Sequence, residues 1–116
     1  MRDKEKEPEI ALQNFFGIVS KWDLTDSEAK LLAGWPNQGS SILGKTSGAK
    51  TITEDTLTRI SLVMGIYKAT HILVPEPTRA NSWIRRATSA FYGSTPLEIM
   101  LSGDLADLFR IRRHLD

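Results

Sequence analysis

The chain has 116 residues, about one domain's worth, and 41% of them are hydrophobic, which allows a single modest core. Fifteen basic residues against fourteen acidic ones leave a formal charge of +1, so the basic footprint of a stand-alone nucleic-acid-binding domain is missing. There is no Cys, which excludes disulfides and thiolate metal sites, and the two histidines, His71 and His114, do not make a metal site alone. The longest apolar run is far shorter than a membrane span needs, and the charged start is not a secretory signal. A cytoplasmic protein without a membrane partner is expected.

Residues 1–8 alternate in charge and lack an apolar pattern, which predicts a disordered N-terminus. From Glu9, the spacing of Leu12, Phe15, Phe16, Val19 and Trp22 predicts an amphipathic helix, broken at Asp23-Leu24. Thr25-Asp26-Ser27-Glu28 reads as a capping box, in which hydroxyl and carboxylate each satisfy the other residue's backbone N–H. The helix it starts runs through Ala29, Leu32 and Ala33 and stops at Gly34 and Pro36. Residues 37–50 are rich in Gly, Ser and Lys and predict a turn, a short helix over 40–45 and a loop. Thr53 caps the longest helix, whose first turn holds Glu54 and Asp55, as the helix dipole favours. Its stripes are Leu57, Ile60, Met64, Tyr67 and His71 on one side and Val63, Ile66 and Leu73 on another, so it is expected to be central. It ends at Val74-Pro75-Glu76-Pro77, the one internal boundary, because proline cannot continue a helix.

The order of these elements over residues 9–76 matches a helix-turn-helix, whose second helix enters the major groove. Here that helix offers Ser40, Ser41 and Lys45, followed by Lys50. Hydroxyls and lysines suit phosphates better than base edges. A plain helical bundle with a glycine-rich connection fits the same residues.

In residues 77–116, Trp83 is expected to anchor a helix running through Arg86 and Thr88. Gly93 is expected to take a tight or left-handed conformation. Thr95-Pro96 reads as N-cap and first helical residue, with Leu97, Met100 and Leu101 facing inward. Gly103 closes that helix and Asp104 caps the last one, where Leu105, Leu108, Phe109 and Leu115 are expected to be buried. Arg110, Arg112 and Arg113 face outward in this reading, and such a face is often merely solvated. The acidic residues hold capping and surface positions, and no nucleophile has an obvious base partner, so neither catalysis nor a cofactor is expected. His71 reads as a core histidine and His114 as exposed. The expected fold is all-α, a helix-turn-helix-like bundle packed on a small C-terminal helical domain.

Asn81-x-Trp83, Gly93-x-Thr95-Pro96-Leu97 and Leu101-Ser102-Gly103 keep fixed spacings before the final helix. From Ala80 to Asp116 the sequence resembles the toxin-binding domain of the Xre/MbcA/ParS-type antitoxins. The resemblance implies a non-catalytic antitoxin, a homodimer within a hetero-oligomer. Its partner is a RES-domain toxin that degrades NAD or transfers its ADP-ribose to a protein, and the antitoxin occludes the toxin's cleft. It also implies a helix-turn-helix domain that binds the operon's promoter DNA in some members and is structural in others. On this reading Arg85, Arg86, Tyr92, Arg110, Arg112, Arg113 and Asp116 meet the toxin, while Trp83, Gly93, Thr95, Pro96 and Gly103 shape the scaffold. Family members often add a short glycine-containing tail after the last helix, where this chain has Asp116. A small helix-turn-helix regulator without a toxin is the competing reading.

Overall fold

The computed structural model describes residues 7–34 and 53–115, and the fold is all-α, with no strand among these residues. Helix α1, Glu7–Lys21, begins two residues before the expected start. Pro8 then falls in its first turn, where a missing N–H costs nothing. Asp23 ends the helix in a left-handed conformation, φ 55°. Leu24 N–H donates to Val19 O at 3.0 Å and satisfies a terminal carbonyl. Helix α2, Asp26–Ala33, carries the expected capping box: Glu28 N–H donates to Thr25 Oγ1 at 3.1 Å and Thr25 N–H to Glu28 Oε1 at 2.8 Å. Gly34 closes it at φ 59°.

Helix α3, Glu54–Leu73, is capped by Thr53 and touches α1, α2 and two later helices described next. Ile60, Val63 and Ile66 are fully buried, while Met64 and Tyr67 are half-buried on its flank. Thr70 is also buried, and its hydroxyl donates to Ile66 O at 2.6 Å, so no polar group is stranded there. Leu73, expected on the second buried stripe, is 60% exposed, because it lies in the final turn, past the packed part of the helix.

Helix α4, Pro77–Ser82, runs into a 3-10 turn, Trp83–Arg85, and corrects the expected helix through Arg86 and Thr88. The Pro-Glu-Pro boundary is itself a helix start. The Glu76 carboxylate accepts from Thr78 and Arg79 N–H at 3.2 and 2.8 Å, and Pro77 fills the first position. Trp83 consequently falls at the end of the helix, where it is half-buried against the core, and Ile84 is the fully buried anchor. A second 3-10 turn, Ser89–Phe91, leads to α5, Pro96–Met100, which Thr95 and Glu98 cap reciprocally. Gly103 takes φ 88° and Asp104 caps α6, Leu105–His114. The helices reached by α3 on this side are α4 and α6. Leu108, Ile111 and Leu115 form the buried stripe of α6 and its cap, whereas Phe109, expected inside, is 44% exposed. About two turns separate Leu108 from Leu115, so they share a face, and Ile111 completes that line, which leaves Phe109 more than a quarter of a turn from Leu108.

One hydrophobic cluster joins Leu12, Phe15 and Trp22 from the front to Ile84, Leu97 and Ile111 from the back, across the Pro75–Pro77 boundary. No helix among the described residues is long and apolar enough to cross a membrane.

Two outcomes follow from this packing. Ile111→Ala should lower unfolding free energy by about 2–5 kcal/mol, as for other buried large-to-small changes. Phe109→Ala should cost under about 1 kcal/mol, as surface changes do. Urea unfolding of both variants distinguishes this stripe from one through Phe109. Backbone N–H donors of Arg79 and then Thr78 hold the Glu76 carboxyl below the usual carboxylate range. A lowered folded-state pKa contributes stability above the unfolded value and loses it as pH falls through the folded one. The stability advantage of wild type over Glu76→Gln should therefore be present at neutral pH and shrink as the solution is acidified through and below the carboxylate range.

Candidate protein-interaction site

The turn between the second 3-10 segment and α5 carries the most exposed aromatic side chain among the described residues. Thr88 opens the turn, and its hydroxyl accepts from Ala90 N–H at 3.3 Å. Tyr92 N–H donates to Ser89 O at 3.1 Å, Gly93 N–H to Thr88 O at 3.0 Å and Thr88 N–H to Ser94 O at 3.3 Å. These bonds hold Tyr92 at φ 55° and Gly93 at φ 86°. A left-handed conformation is uncommon for a bulky L-residue and costs about 1–2 kcal/mol. Phe91, one residue earlier, is buried, while Tyr92 is 91% exposed. The turn thus uses one aromatic as its anchor and directs the next into solvent.

The end of α6 packs on the same anchor. Arg110 Cζ lies 5.4 Å from the Phe91 ring centroid, and the His114 ring lies 4.8 Å from it. Ala90, Phe91, Arg110, Arg113 and His114 line a shallow depression of about 530 Å³. Arg110, Arg113 and His114 are exposed, and no acidic residue is among the described residues lining the depression. Arg113 and His114 also sit in the last turn of α6, where the helix dipole favours cations. A cationic rim with an aromatic floor suits an acidic partner surface, and Tyr92, next in sequence to that floor but lining a separate depression with Thr88 and Gly93, adds an exposed aromatic.

The expected cationic set divides in two. Arg86, Arg110 and Arg113 are exposed. Arg85 also lies at the surface, but its guanidinium donates to Trp22 O at 2.9 Å and Asp23 O at 3.0 Å, so it caps the C-terminus of α1. Arg112 is half-buried and lies along α3, where a Cβ on Gly65 would come within 2.9 Å of its Nε. Arg112 was expected to face outward; it instead occupies the space beside Gly65, because the turn of α6 that buries Ile111 brings its neighbour against α3. Asp116 lies outside the described residues, as do Ser40, Ser41, Lys45 and Lys50. Trp83, Gly93, Thr95, Pro96 and Gly103 hold turns and caps as described above, and Gly103 O also accepts from Arg59 at 2.9 Å.

Phe91 and His114 are the site residues that the sequence reading missed. Nineteen or more positions separate Phe91 from the α6 side chains around it, and no local pattern links them. Arg85→Ala should lower unfolding free energy by about 1 kcal/mol, the usual scale for lost hydrogen bonds. Arg113→Ala, removing an exposed cation with no such contact, should stay within about 0.5 kcal/mol of wild type. Equal losses in a thermal or urea melt would contradict this division.

No protein-family model matches the chain. No solved structure matches it either. Protein y4oB of Sinorhizobium fredii (strain NBRC 101917 / NGR234), described as an uncharacterized protein, is 36% identical over 105 residues, which cover 90% of this chain and 81% of y4oB. The chain belongs to the same family as y4oB.

Proposed function

We propose that this protein is the antitoxin of a type II toxin–antitoxin system and neutralises a RES-type toxin that consumes NAD or transfers its ADP-ribose. The observation that carries this reading is a turn that holds Tyr92 outward at a strained backbone position while the preceding Phe91 lies in a depression lined by the exposed cations Arg110 and Arg113. Strain of this kind is retained where the surrounding turn over-determines it, and such positions cluster at functional sites. Tyr supplies large contact area with little side-chain entropy to lose, and Arg supplies a planar fork for carboxylates. The spacing of Asn81, Trp83, Gly93, Thr95, Pro96 and Gly103 supplies the family half of the argument.

A site that accepts an anionic dinucleotide must present polar and charged groups, and a plug for it needs complementary charge. Arg86, Arg110, Arg113 and Tyr92 are the residues assigned to that contact. Arg85 and Arg112 are assigned to the scaffold. Promoter binding through Ser40, Ser41, Lys45 and Lys50 accompanies this role. It should be weak and salt-sensitive at a net charge of +1 and should drop in the Lys45→Glu/Lys50→Glu variant, as read by gel shift at low salt.

Growth rescue in cells expressing a RES toxin, the adjacent gene being the first to try, tests the main reading. The variant Tyr92→Gly/Arg110→Glu/Arg113→Glu should fold, because glycine accepts the left-handed position and both cations are exposed. It should lose rescue and fail to co-purify with the toxin. Full rescue by the folded variant would move inhibition to another surface, and failure of wild type to rescue would remove the antitoxin reading.

A further inference from the structure

A groove of about 470 Å³ runs between α1 and α3, away from the cationic turn, and Gly17, Ile18, Lys21, Met64, Tyr67 and Lys68 line it. The volume lies within the roughly 300–1,000 Å³ of ligand clefts. Its surface is apolar along Ile18, Met64 and Tyr67, and its charged residues are both lysines. Neither Lys21 nor Lys68 forms an ion pair among the described residues, and no acidic residue there lines the groove. The Tyr67 ring packs between two others, 5.9 Å from Trp22 and 4.1 Å from His71. Trp22 Nε1 and His71 Nε2 are buried without a hydrogen-bond partner. The aromatic wall behind the groove therefore holds two buried nitrogens that are left unsatisfied among the described residues.

Gly17 is the telling residue. A glycine inside a helix costs about 1 kcal/mol relative to alanine. Gly34 and Gly65 each have a reason to lack a side chain, since a Cβ would come within 2.9 Å of Arg59 and Arg112 respectively. A Cβ on Gly17 would meet nothing within 4 Å, and its φ is not positive. Neither packing nor backbone conformation requires glycine there. What glycine does at this position is leave the groove open.

We propose that the groove binds a small amphiphilic anion, an alkyl or aryl carboxylate or sulfonate. The tail lies along Ile18, Met64 and Tyr67, and the acid group meets Lys21 and Lys68. The two lysines reach along flexible stems, so the site selects for charge and apolar length more than for one head-group geometry. Met64 adapts its shape to the tail. This site is separate from the surface assigned to the toxin and stands or falls independently of it.

Anilinonaphthalene sulfonate and decanoate serve as probes on the folded 116-residue chain, with decanol as the uncharged counterpart of decanoate. The sulfonate's fluorescence should rise saturably, decanoate should displace it, and decanol should do so at least tenfold less well. Gly17→Leu fills the groove with a good helix former, so its thermal midpoint should be unchanged or higher while probe affinity falls at least tenfold. Lys21→Glu/Lys68→Glu should weaken decanoate at least tenfold and change decanol little. Non-saturating fluorescence, unchanged affinity in folded Gly17→Leu, or equal binding of decanoate and decanol would each overturn the proposal. The lysine variant provides the test if Gly17→Leu does not fold.

Discussion

Ile60, Val63 and Ile66 on α3 are shielded from solvent by helices that come from both ends of the chain. Burying a side chain of this size contributes about 1.5–3 kcal/mol. The front helices α1 and α2 bury one side of α3, and α4 and α6 bury another. Without α3 neither group would have a surface on which to bury its apolar stripe. The Pro-Glu-Pro junction marks a change of direction, but the hydrophobic cluster runs continuously across it. The lysine-lined groove lies on this helix directly, and the cationic turn is tied to it through α6.

Polar contacts then join what the core brings together. Arg59 donates to Asp55 Oδ2 at 2.8 Å on its own helix and to Gly103 O at 2.9 Å near the start of α6. Arg85 reaches in the opposite direction and closes the end of α1. Arg112 lies over Gly65. In each case a long guanidinium side chain crosses between elements that lie far apart in sequence. Backbone carbonyls at helix ends have no partner within the helix, and a multidentate donor satisfies them economically. Arg86, Arg110 and Arg113 remain exposed, Arg110 resting over the Phe91 ring, and are available to a partner.

The two candidate sites differ in how they are built. The turn around Tyr92 is formed by short-range hydrogen bonds and then fixed by Phe91, which inserts beneath Arg110 and His114. Its exposure is a property of the backbone, so it persists whatever the neighbouring side chains do. The groove between α1 and α3 depends on helix spacing and on the missing side chain at Gly17. It is sensitive to packing, and a single substitution can fill it.

Helix caps were legible from the sequence because each is settled within four residues. Thr25 with Glu28, Thr95 with Glu98, Thr53 and Asp104 all cap where their spacing indicates, and Gly34, Gly93 and Gly103 take positive φ. The all-α class and the central role of α3 were legible for a similar reason, since they follow from periodicity along one element. Glu76 was also a local signal, but reading Pro75–Pro77 as a boundary alone hid the helix start within it. What the sequence could not specify was which side of a short helix meets the core. Phe109 and Ile111 are both apolar, and only the contact between α6 and α3 buries one and exposes the other. The same contact turned Arg112 inward, and the placement of the Trp83–Arg85 turn near the end of α1 committed Arg85 to the carbonyls of Trp22 and Asp23. Caps and turns are short-range and therefore written in neighbouring residues, whereas the division of arginines between scaffold and surface depends on distances between helices that exist only once the chain has folded.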